Sequence, residues 1–129
     1  MSLPGSASEA DRALVAALYA DFNARRIDPL LARMTPDVAW PSGMEGGYVA
    51  GREAVRAYWQ RQWAIIDPQV IPQRVDADAE GRLAVTVRQV VRDLSGKVLK
   101  DDLIGHTYTR EAGLISTMAI GPAPRPGGS

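Results

Sequence analysis

At 129 residues and 13.9 kDa the chain is the size of one domain, large enough to bury about two thirds of its unfolded surface. Fifteen Lys and Arg balance fifteen Asp and Glu. A net charge of zero removes the electrostatic basis for non-specific binding to nucleic acid or to an anionic membrane. With no Cys there is no disulfide, thiol nucleophile or thiolate metal site, and a single His excludes any site built from two histidines.

The longest purely apolar run, Ala13 to Ala20, is far shorter than the roughly 20 residues of a membrane span. Glu9 and Asp11 precede it, unlike the positive start of a signal peptide. A cytoplasmic protein is expected. Residues 1–7 and the tail 122–129 are rich in Pro, Gly and Ser and read as loose ends around one domain at 8–121.

Taken in chain order, Ser6 to Glu9 fits a capping box, and a helix should run over about 8–25. Leu14, Leu18 and Phe22, with Val15 and Tyr19 beside them, form its buried stripe. Asp28-Pro29 reads as the start of a second, short helix over 29–34, stopped by Pro36. Asp37–Trp40 and Tyr48–Ala50 read as short strands around a Gly-rich loop. A third helix should span 52–66, with Val55, Trp59 and Trp63 four apart, and Pro68 should end it.

The remainder reads as long strands at 69–78, 82–94, 97–110 and 114–121. The turn signals Ala79–Gly81, Ser95-Gly96 and Glu111–Gly113 each set a register. They place Val75 opposite Val85, Gln73 opposite Val87, Val85 opposite His106, Val87 opposite Ile104 and His106 opposite Met118. Alternation then gathers Ile71, Gln73, Val85, Gln89, Asp102, Ile104, His106, Tyr108 and Met118 on a core face. The opposite face is charged but carries Val90, Leu99, Leu103 and Ile115, the pattern of a subunit interface.

Three helices followed by a four-stranded antiparallel sheet is also the order of a known superfamily. Leu18–Asp28, Thr35–Trp40, Ala50–Trp59, His106–Tyr108 and Glu111–Ile115 resemble the SnoaL-like branch of the nuclear transport factor 2-like superfamily. The resemblance implies an α+β fold, a cone-shaped barrel whose helices close one side of a curved sheet around an apolar cavity. Its members include steroid isomerases, polyketide cyclases, dehydratases, epoxide hydrolases and non-catalytic association domains, so the fold alone assigns no reaction. Steroid isomerases of this fold carry a catalytic Asp just after the first short strand. Here Trp40, Pro41, Ser42 and Gly43 stand there, and Glu45 is the nearest carboxylate. Tyr19 lies within one residue of a Tyr those enzymes use.

His106 is the candidate acid, base or hydrogen-bond donor, because imidazole alone titrates near neutrality; the alternative is a sealed structural histidine. Asp102, four residues earlier on the same face, is the second candidate, against a solvated rim carboxylate. Tyr19, Trp40, Tyr48, Trp59, Trp63 and Tyr108, with Gln89 and Met118, are the candidate walls for a planar or polycyclic ligand. No phosphate loop, dinucleotide fingerprint or Ser-His-Asp order is found. Two readings follow. One is a cofactor-independent isomerase, cyclase, dehydratase or hydrolase acting on a small hydrophobic molecule, with no metal. The other is a non-catalytic module that binds or associates. Either is expected to form a homodimer through the outer sheet, with a cavity of roughly 300 Å3 or more entered near Trp40 and the 41–47 loop.

Overall fold

A computed structural model of the chain describes residues 7–43 and 46–123. Of the expected loose ends at 1–7 and 122–129, residues 1–6 and 124–129 lie outside the described residues, as does Glu45. Three helices and six strands follow in the order α1 (Glu9–Asn23), α2 (Ile27–Ala32), β1 (Met34–Pro41), β2 (Tyr48–Ala50), α3 (Arg52–Trp63), β3 (Ile66–Ala77), β4 (Leu83–Asp93), β5 (Val98–Glu111) and β6 (Leu114–Pro122). The fold is α+β, as expected, and among the described residues no helix is long and apolar enough to cross a membrane.

The strands form one six-stranded sheet in the order β2-β1-β6-β5-β4-β3. This corrects the expectation of four long strands with separate short ones. β1 joins the same sheet, parallel to β6, and β2 pairs antiparallel at its edge. β1 also begins earlier than expected, at Met34, because Pro36 is compatible with extended backbone. At the other edge, β3 contains Pro68 and Pro72, so Pro68 does not merely stop α3. An edge strand tolerates prolines because the missing N–H costs no ladder bond on its open side. That side is partly covered: Asn23 at the end of α1 donates Nδ2–H to the Val70 carbonyl and accepts from the Val70 amide.

The start of α1 differs in register from the sequence reading. Ser8 is the cap, with its hydroxyl accepting from Asp11 N–H and Asp11 accepting from Ser8 N–H. The capping box is thus Ser8 to Asp11, with Asp in the role expected of Glu9. Ala7 is buried and Pro122 is the last residue of β6. α2 starts at Ile27, with Asp28 in its first turn, where a carboxylate favours the helix dipole.

The β4–β5 register is as read: Val85 pairs with His106 and Val87 with Ile104. The flanking registers are not. A bulge at Gln73 sets Pro72, not Gln73, opposite Val87, while Val75 still opposes Val85. The extra residue exchanges the faces beyond it. Ile71 and Gln73 leave the core face and are exposed, while Val70 and Pro68 turn inward and are buried. The last hairpin turns on two residues, Ala112 and Gly113, both at positive φ. A second bulge follows, so Tyr108 opposes Met118 and His106 opposes Ile120. This shift is by two, so Met118 keeps its face.

The core lies between the helices and the inner face of the sheet. Val15, Val55, Trp59, Leu83, Val85 and Val87 are all at most 1% exposed. Val90 and Ile115 are also buried, which removes them from the expected outer apolar set; Ile115 pairs with Met34 of β1. Leu99 and Leu103 remain exposed there, beside a bidentate Arg88–Asp101 ion pair.

Candidate functional site

A cavity of about 450 Å3 opens between the helices and the inner face of the sheet. The 3.6-residue period of α1 presents Leu18, Tyr19 and Phe22 to it, and α3 presents Tyr58, Trp59 and Gln62. The alternation of β5 presents Lys100, Ile104, His106 and Tyr108 in one row. Trp40 of β1 meets Trp59 edge to face, with centroids 5.4 Å apart, and together they make an aromatic wall.

One polar cluster sits inside this apolar shell. Tyr108 Oη donates to Tyr19 Oη at 2.9 Å, and Tyr19 Oη lies 2.7 Å from His106 Nδ1. All three side chains are buried, and His106 is 7% exposed. Each phenol has one proton to give. With the Tyr108 proton given to Tyr19, the Tyr19 proton goes to Nδ1, and the imidazole proton is left on Nε2. Nε2 has no partner among the described residues. Burial pushes the His106 pKa down to about 4, because the cation has lost its hydration. The ring is therefore neutral at pH 7. Burial also raises both phenols well above their usual range, so they remain protonated donors. The chemical product is a neutral N–H donor on the cavity wall, oriented by two hydroxyls. It is suited to polarising a carbonyl or holding a developing oxyanion. It is ill suited to act as a strong base, which narrows the acid, base or donor choice left open by the sequence.

Of the other expected residues, Tyr19, Trp40, Trp59, Gln89, Tyr108 and Met118 line the cavity with His106. Three do not. Tyr48 is 58% exposed on the edge strand β2. Trp63 packs behind the wall, stacked on Trp59 and edge-on to Phe22, under the Arg25 guanidinium at 4.8 Å from the ring centroid. That guanidinium is also paired with Asp67. Asp102 pairs with Gln89 across β4–β5 as read, but its side chain lies beside the cavity, with Lys100 Nζ 3.8 Å from Oδ2. Sequence reasoning missed Gln62, Lys100 and Val70. Lys100 was legible from the two-residue alternation back from His106; Val70 was hidden by the bulge. Among the described residues, no three His, Cys, Asp or Glu side chains lie together as a metal site.

A SnoaL-like domain model matches residues 15–118 of the chain. The chain belongs to the SnoaL-like domain family. No curated protein matches it. Several solved structures do. An NTF2-like protein of unknown function from Burkholderia pseudomallei is 26% identical, with a TM-score of 0.72 over 82% of this chain and 85% of that one. TerC, co-crystallised with polyporic acid, is 25% identical with a TM-score of 0.71, over 82% and 85% of the two chains. A suspected polyketide cyclase from Xanthomonas campestris is 26% identical with a TM-score of 0.70, over 84% and 87%. The SnoaL-like fold thus accounts for the inward row of β5 and the helices that roof it.

Proposed function

We propose that this SnoaL-like domain binds a small, mostly apolar, carbonyl-bearing organic molecule and promotes a cofactor-independent cyclisation or isomerisation of it. The observation that carries the reading is the Tyr108–Tyr19–His106 chain, which ends in an unpartnered Nε2–H on the wall of an apolar cavity. A hydrogen bond from Nε2 to the carbonyl oxygen polarises the carbonyl and stabilises negative charge that develops on its oxygen. The crystallisation of TerC with polyporic acid and the similarity to a suspected polyketide cyclase support the same class of ligand.

The test begins with small molecules that co-purify with the protein, identified by mass spectrometry, and with quenching of Trp40 and Trp59 fluorescence by polycyclic ketones. For a turned-over ketone, His106→Ala abolishes turnover while binding survives. Turnover that survives in His106→Ala removes His106 from the chemistry. The chain also pairs in this proposal, through Leu99 and Leu103 of the outer β5 face, which are 54% and 57% exposed. Sedimentation at high micromolar concentration should give twice 13.9 kDa, and a monomer there excludes an interface of the roughly 1,000 Å2 that a stable dimer needs.

A further inference from the structure

The cavity has a second polar group that the catalytic reading does not use. Lys100 lies six positions before His106 on β5 and faces the same way, so their Cα atoms are roughly 20 Å apart along the strand. Lys100 lines the cavity, half exposed at its mouth. Its nearest charge is Asp102, but 3.8 Å from Nζ to Oδ2 is too long for a hydrogen bond. All three ammonium protons therefore lack protein acceptors among the described residues. Gln89, on the neighbouring strand, also lines the cavity, and its amide has no hydrogen-bond partner among the described residues. Ile104 lines the cavity between this end and His106, and Val91, which pairs with Lys100, lies level with it.

The lining therefore has donors at both ends and an apolar stretch between them. We propose that the ligand is bipolar, with a carbonyl that reaches His106 and, at the far end of an apolar body, an anionic oxygen group that Lys100 and Gln89 bind at the mouth. This rests on the ligand-binding reading above and adds the charge and the length of the molecule. A neutral ligand of the same body leaves Lys100 with only its long contact to Asp102. An anionic one completes a charge-assisted bond to the ammonium. Lys100 is then a specificity-determining residue, and the oxygen group is a carboxylate, sulfonate or acidic enol.

The experiment compares two fluorescent probes on the same aromatic skeleton, anionic 1-anilinonaphthalene-8-sulfonate and neutral N-phenyl-1-naphthylamine. They are titrated into the intact chain, Lys100→Gln, and Lys97→Gln, which removes an exposed lysine of the β4–β5 turn. The wild-type protein should prefer the anionic probe. Lys100→Gln should weaken it about tenfold, the scale of one charge-assisted bond, and leave the neutral probe within about twofold. Lys97→Gln should change neither, and circular dichroism should match for all three. If the neutral probe binds and the ratio of the two affinities is the same in Lys100→Gln as in wild type, the anionic subsite is wrong and the cavity reading stands. If neither probe binds the wild-type protein, both fall.

Discussion

The two ends of the inner row of β5 obey different rules. At the closed end, His106 and Tyr108 lie under Tyr19, and all three are almost fully buried. Every hydroxyl there has a partner, and the imidazole is forced to its neutral form. At the open end, Lys100 and Gln89 keep their hydrogen-bonding capacity unspent, because water can serve them until a ligand arrives. Burial decides which polar groups must find partners inside the protein. The closed end was solved by a helix residue and two strand residues acting together, whereas beside the open end the buried Asp102 Oδ1 has no hydrogen-bond partner among the described residues.

The sharpest way to break this contrast is to remove the wall of the closed end. Trp59 is 1% exposed and touches Trp40, Phe22 and Trp63. Trp59→Ala should lower the unfolding free energy by about 3–5 kcal/mol. Gln89→Ala at the open end, where the side chain is only partly buried, should cost about 1 kcal/mol or less. Urea midpoints at constant m-value measure both. Comparable losses at the two sites would mean that the closed end is not the tighter packed.

The second test uses pH. His106 is the only histidine, with an ordinary value of 6.5 that burial lowers to about 4 in the folded chain. Between these values the unfolded chain binds the proton and the folded chain does not. Stability is thus complete above pH 6.5 and is lost as pH falls toward 4, at about 1.4 kcal/mol per pH unit and about 3 kcal/mol in all. Between pH 6.5 and 5, above most carboxylate titrations, the wild-type stability should fall with this slope. His106→Gln should be nearly flat. Equal slopes would place the imidazole in contact with water.

The same contrast explains what was legible in the sequence. The β4–β5 register could be read because Val85 and Val87 alternate with polar residues and Ser95-Gly96 marks the turn between the two strands. That alone put His106, Tyr108 and Gln89 on one face. The bulges at Gln73 and after Leu114 left no mark in composition, because a bulge is a backbone event selected by packing. They misplaced Ile71 and paired His106 with Met118 in place of Ile120. The Tyr19–His106 bond joins residues 87 apart in sequence. The helix period pointed Tyr19 inward and the strand period did the same for His106, but no local pattern states that the two meet. Trp63 shared the four-residue spacing of Trp59, yet the end of α3 at Trp63 and the Arg25 cation above its ring set it behind the wall.

The smallest effects come from the two phenols, and their difference tests the direction of the proton chain. Tyr108→Phe removes the first donor; Tyr19 can still give its proton to Nδ1, so only one bond is lost. Tyr19→Phe strands both the Tyr108 hydroxyl and Nδ1 in a buried place. A lost bond costs about 0.5–1.5 kcal/mol and a stranded buried group about 1–3 kcal/mol. Tyr19→Phe should therefore be the more destabilising, although each variant deletes one oxygen. It should also disturb the tautomer, because Nδ1 no longer has a donor to hold it as an acceptor. In Tyr108→Phe the Nε2–H form should persist. Long-range proton–nitrogen spectra of the single imidazole read this directly, and the wild-type protein should show Nδ1 unprotonated. A protonated Nδ1 would reverse the chain, turn Nε2 into an acceptor facing the cavity, and make the closed end a site for a ligand hydroxyl in place of a carbonyl.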